Sequence, residues 1–150
     1  MLIDRISTLK TTPPVIVESG TSVARVVEEI QRNAVGCVVV CTGGVLIGIL
    51  TERDVLMKIV ARDVDYKAPV DDFMTRDPIT IRSDAAIGDA VQLMVDHGIR
   101  HVPIVDAGLA KPIAVFSIKD VINLIAESFP AHVLNLPPRP HQKMSTAEGA

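Results

Sequence analysis

The chain of 150 residues contains one pattern twice, and that repetition limits its fold more than any other feature. Pro14, Val17, Val23, Ile30 and Val35 return 64 positions later as Pro78, Ile81, Ile87, Met94 and Ile99. Past a turn that is two residues longer in the second copy the offset is 66, so Thr51 corresponds to Ser117 and Asp54 to Asp120. The leads correspond as well, Ile6-Ser7-Thr8-Leu9-Lys10-Thr11 with Val70-Asp71-Asp72-Phe73-Met74-Thr75. Each copy reads strand-helix-strand-strand-helix, because period-two β-branched runs alternate with apolar residues at helical spacing.

In the first copy this predicts a strand at Val15-Ile16-Val17 and a helix over 22–33. A strand from Gly36 to Cys41 turns at Thr42-Gly43-Gly44 into a strand from Val45 to Leu50, and a helix runs from Thr51 to about Ala61. The second copy predicts strands at Pro78–Ile81, Val102–Val105 and Ile113–Phe116. Its helices run through Ile87–Met94 and from Ser117 to about Ser128. The fold class is α/β (α+β), a tandem β-α-β-β-α repeat. One unit cannot cover both faces of its sheet; two packed together can, with a cleft at their junction.

Each copy ends in the same strand-to-helix turn, Gly48-Ile49-Leu50-Thr51-Glu52-Arg53-Asp54 and Ala114-Val115-Phe116-Ser117-Ile118-Lys119-Asp120. Thr/Ser-x-x-Asp supports two readings. It is a capping box that satisfies the orphan N–H groups of a first helical turn, worth about 1 kcal/mol. It is also a phosphate and ribose site, since free N–H groups and a partial positive charge gather at a helix start. Arg53 and Lys119 are electrostatically misplaced there unless an anion sits beside them; simple solvent exposure is the other reading.

Hydrophobic residues form 48% of the chain and aromatics 3%, so aliphatic side chains must build the core. The mean hydropathy of +0.35 is high, yet no apolar stretch approaches the ~18 residues of a membrane span. The surplus fits packing between repeats and between subunits. A net charge of −3 argues against nucleic acid as the main partner. The first residues lack a signal-peptide layout. Cys37 and Cys41, four apart on one strand, would lie about 13 Å apart, too far for a disulfide or a shared metal. A reduced, cytoplasmic setting is expected.

Val70-x-Asp72-x-Met74-Thr75 before a Pro-led strand, Gly98-Ile99-Arg100-His101-Val102-Pro103-Ile104-Val105-Asp106 and Gly48-x-x-Thr51-x-Arg53-Asp54 resemble the paired cystathionine-β-synthase (CBS) domain, or Bateman module, over about residues 5–128. The resemblance implies a pseudo-twofold pair that binds an adenosine-containing ligand between repeats: AMP, ADP, ATP, an NAD-like molecule or S-adenosylmethionine. It further implies a regulatory role and a homodimer, with the protein partner unspecified. Carried onto this sequence, it points to Thr80, Ala85, Ile99, Arg100, His101, Pro103, Ser117, Lys119 and Asp120. The counterparts are Ile16, Thr21, Val35, Gly36, Cys37, Thr51, Arg53 and Asp54. Arg100 suits phosphate through its fork of donors, whereas its counterpart, Gly36, carries no charge. Thr80 faces the apolar Ile16 in the comparison. These inequalities mark Ser117–Asp120 as the stronger site, although Ala114 stands where the first turn has Gly48.

Nothing points to catalysis or a catalytic cofactor: there is no nucleophile elbow, P-loop or Ser/His/Asp spacing. His97 and His101 are separated by the helix-breaking Gly98 and make poor metal ligands. The expected organisation is a first repeat with its lead (1–68), a second repeat (69–129) and a flexible Pro-rich tail (130–150). The alternative is a structural, dimer-forming protein whose turns are caps and no more.

Overall fold

The computed structural model describes residues 2–106 and 108–129; the predicted tail lies outside them. The first copy forms β1 (Ile16–Glu18), α1 (Val23–Asn33), β2 (Cys37–Thr42) and β3 (Val45–Thr51). A helical segment, α2, follows. It opens as α-helix at Glu52–Asp54, widens to a π-helix over Val55–Ile59 and tightens to a 3₁₀ turn at Val60–Arg62. After β4 (Thr75–Arg76) the second copy forms β5 (Ile81–Arg82), α3 (Ile87–His97), β6 (His101–Val105), β7 (Pro112–Ser117) and α4 (Ile118–Ser128).

Local chemistry sets these bounds. Ser22 starts α1 by accepting the Arg25 N–H at 3.2 Å. Gly98 ends α3 in the left-handed region, φ +62°, which costs a glycine nothing. The predicted strand Pro78–Ile81 is shorter than expected and is observed only as β5, because Pro78 has no N–H to give a ladder. Strand β4 was not predicted.

The sheets are β1-β2-β3-β4 and β5-β6-β7. In both, the first strand runs parallel to the second and the second antiparallel to the third. The duplication extends to register. Val17 pairs with Val40 as Ile81 pairs with Ile104, and Cys37 pairs with Thr51 as His101 pairs with Ser117. A register shift falls at the corresponding step, Val40/Cys41 and Ile104/Val105.

Three apolar clusters hold the pair together. Val23, Val26, Val38, Val40, Leu50 and Ile59 fill the first unit, and Ile87, Ala90, Val102, Ile104 and Phe116 the second. The opposite face of the first sheet, Cys37, Val39, Cys41 and Ile49, packs on Val115 of β7 and joins the units. The leads are exchanged. Ile6, 1% exposed, lies in the second unit's core, and its N–H donates to Ala85 O at 2.9 Å. Val70, fully buried, completes the first unit's core and donates to Thr21 O at 2.8 Å. Each lead also caps a helix: the Val23 N–H reaches Ala68 O and the Ile87 N–H reaches Asp4 O. Among the described residues no helix is long and apolar enough to cross a membrane.

Candidate functional site

Strand β3 gives way to helix after Thr51, which keeps an extended backbone (φ −102°, ψ 165°) and caps the first helical turn, its hydroxyl receiving the Asp54 N–H at 3.2 Å. The Asp54 carboxylate returns the bond, with Oδ2 accepting the Thr51 N–H at 3.0 Å and the hydroxyl at 3.1 Å. Its other oxygen, Oδ1, is 3.2 Å from Lys58 Nζ, which also donates to Phe73 O at 3.1 Å. At the second turn Asp120 Oδ2 accepts the Ser117 N–H at 2.7 Å and its hydroxyl at 3.2 Å. The position matching Lys58 is Leu124, so among the described residues only the first turn has an ammonium group on its aspartate.

The turn at Thr51 is one wall of a cleft of about 540 Å³ between the units. Ile49, Glu52, Arg53 and Asp54 line that wall; the opposite wall is built from Thr75, Asp77, Pro78 and Ile79 and from Gly98, Ile99, Arg100 and His101. Neither Arg53 nor Arg100 is ion-paired among the described residues. His101 sits where the units meet. A methyl group added to Gly36 would stand 2.7 Å from its Nε2 and 3.1 Å from Glu52 Oε1. Burial lowers the His101 pKa below its ordinary 6.5, against the pull of the Glu52 carboxylate, so the imidazole is neutral at pH 7.

The sequence residues are therefore regrouped. Arg100, His101 and Ile99 line a cleft with Thr51, Arg53 and Asp54, whereas the sequence paired them with Ser117 and Asp120. The cause is the packing of the units, which turns the start of β6 toward the end of β3. Ser117, Lys119 and Asp120 are not in this lining, although Ile118 N–H donates to Arg100 O at 3.0 Å. Thr80 and Ala85 line a separate, open groove beside α3 with Asp84 and Asp89. Pro103 is buried in β6.

Of the first-copy residues, Ile16 is an exposed strand residue and Val35 follows α1, its N–H bonded to Ile30 O. The Thr21 hydroxyl donates to Glu18 O at 2.6 Å. Gly36 O accepts the Glu52 N–H. Cys37 is buried, and burial, aided by Glu52, pushes its thiol up to about 12. That removes it as a nucleophile at neutral pH. Sequence reasoning missed Ile49, Glu52, Thr75, Asp77, Pro78, Ile79 and Gly98 as site residues; the place of Ile49, Glu52, Thr75, Pro78 and Gly98 within the sequence motifs could have signalled them. Among the described residues no group of three His, Cys, Asp or Glu could hold a metal ion.

The profile of the CBS domain matches residues 6–61 and 70–127, the two copies in tandem. The chain belongs to the CBS domain family. Its architecture is that of a CBS pair. The chain is 28% identical to the CBS domain protein PAE2072 of Pyrobaculum aerophilum, solved in complex with AMP, with a TM-score of 0.74 over 83% of this chain and 99% of that one. The CBS pair of MJ0100, solved with 5′-methylthioadenosine and S-adenosyl-L-methionine, shares the fold (TM-score 0.76, 84% and 98% coverage) at 21% identity. The CBS domain-containing protein YhcV of Bacillus subtilis is 32% identical over 96 residues, 64% of this chain and 69% of its own.

Proposed function

We propose that this CBS pair is a regulatory, non-catalytic module that binds an adenosine-containing nucleotide in the Thr51 cleft and passes its occupancy to a protein partner. The observation that carries the reading is the meeting in one cleft of a capped helix start, an aspartate and two guanidinium groups without ion pairs. The AMP complex of the Pyrobaculum relative supports the ligand class. Asp54 would accept the ribose hydroxyls, Arg53 and Arg100 would bind phosphate, and Ile49, Ile79 and Ile99 would flank the base. Repeats 1–68 and 69–129 act as one unit, since the cleft draws on both. Two buried free thiols, Cys37 and Cys41, fit a cytoplasmic setting.

A second copy of the chain is the proposed dimer partner. Leu56, Met57 and Val60 on α2, Ile122 and Ile125 on α4 and Phe129 at its C-cap are each exposed by 41% or more, and Leu56 matches Ile122 across the repeat. One observation favours the structural alternative: both oxygens of Asp54 already have partners, within the turn and at Lys58. Calorimetry on the full chain decides between them. AMP is expected to bind, and Asp54→Ala to weaken it at least tenfold, by loss of bonds to a charged acceptor. Asp120→Ala should have the smaller effect. Absence of heat with AMP, ATP, NAD and S-adenosylmethionine alike would leave the dimer-forming reading.

A further inference from the structure

We propose that the Thr51 cleft selects an adenosine compound with a single phosphate and discriminates against di- and triphosphates, a selectivity that rests on the adenosine reading above. Its lining carries Glu52, Asp54 and Asp77 against Arg53 and Arg100. Lys58 balances Asp54 from behind, 3.2 Å from Oδ1. His101 adds no charge at pH 7. What remains is two guanidinium groups and two carboxylates. Two guanidinium groups match one phosphate monoester, which carries about −1.5 to −2 at pH 7 and accepts paired donors from each fork. A triphosphate would bring about twice that charge into a cleft whose lining holds no further cation and two acids to repel it; Lys119 lies outside the lining, and its effect on His101 is opposed by Asp120.

Both acids are peculiar to this cleft. The duplicated turn has Ile118 where this one has Glu52, and the first lead has Pro13 where the second has Asp77. Asp77 is held there by its backbone. It occupies the left-handed region (φ +46°), donates its N–H to Ile47 O at 3.1 Å and precedes Pro78. Aspartate tolerates that conformation, which Ala34 and Asp63 also adopt outside the cleft, so it serves here to fix the wall's backbone.

The test is calorimetry on the full chain at pH 7 without magnesium, with AMP, ADP and ATP. Wild-type protein should bind AMP at least tenfold more tightly than ATP, with ADP between. Glu52→Gln/Asp77→Asn should narrow that ratio to about threefold, mainly by tightening ATP; asparagine tolerates the left-handed backbone at 77. ATP binding as tightly as AMP to wild-type protein would overturn the selectivity and leave the adenosine reading intact. So would a ratio unchanged in a variant that keeps its wild-type melting temperature. Failure of every nucleotide to bind would overturn the adenosine reading itself.

Discussion

Gly48 separates two explanations for a glycine in a motif. Next to a ligand turn, glycine suggests close approach of a ligand to the backbone. Here the neighbour is Met74: a Cβ on Gly48 would collide with its Sδ and stand 2.9 Å from its Cγ. The matching residue, Ala114, is 4% exposed, and Lys10 stands at the position that matches Met74. Gly48→Ala should therefore destabilise the protein by about 1–3 kcal/mol through overpacking. Urea unfolding would show that cost shrinking in a Met74→Ala background, because the colliding side chain is gone. An equal cost in both backgrounds would leave the collision without a role. The capping pairs Thr51/Asp54 and Ser117/Asp120 were legible in the sequence because they are three residues apart and need only their own turn. The company of Arg100 was not, because it depends on how two units face one another.

Among elements, the regular strands and helices follow from apolar spacing, and the copies confirm each other. Strand β4 escaped because it has two residues and pairs with β3 across an intervening helix. α2 is helical to Arg62 as its apolar pattern predicts, but no spacing rule marks the π-turn over Val55–Ile59. The second lead is tied to the β1–α1 turn by Asp71. Its Oδ2 accepts the Ser19 hydroxyl at 2.5 Å and its Oδ1 the Gly20 N–H at 2.7 Å. These bonds, the Ser19 hydroxyl first, hold the carboxyl below its ordinary 3.8. A lowered folded-state pKa stabilises fully above the unfolded value and is lost as pH falls through the folded one. Asp71→Asn should thus lower the melting temperature at pH 7, and the gap to wild type should close as pH drops below 3.8. A gap constant from pH 7 to pH 2 would show that the charge of Asp71 contributes nothing.

At the scale of the whole molecule, α4 is amphipathic yet buries none of its residues fully within the chain. Its exposed stripe and that of α2 share one repeated position, Leu56 and Ile122, which a twofold partner would meet at once. Leu56→Lys/Ile122→Lys should convert a dimer to a monomer in light scattering with little change in helix content. A wild-type chain that scatters as a monomer would exclude this face as the contact. The duplication itself was legible from the offsets of 64 and 66. The exchange of leads was not, since a lead adjacent in sequence to one repeat gives no local sign that its apolar residue is buried in the other.

That exchange has a temporal consequence. The first unit's own core cluster and β4 draw on residues from Val15 to Arg76, so that core has its parts once this stretch is made. The second needs Ile6 from one end and α4 from the other, so its first component waits while more than a hundred residues are added. At roughly 5–20 residues per second that interval is about 5–20 s. During it Ile6 has no core to enter. Loss of Ile6 or of α4 removes part of the same unit, the one whose β6 directly follows Arg100 in the cleft.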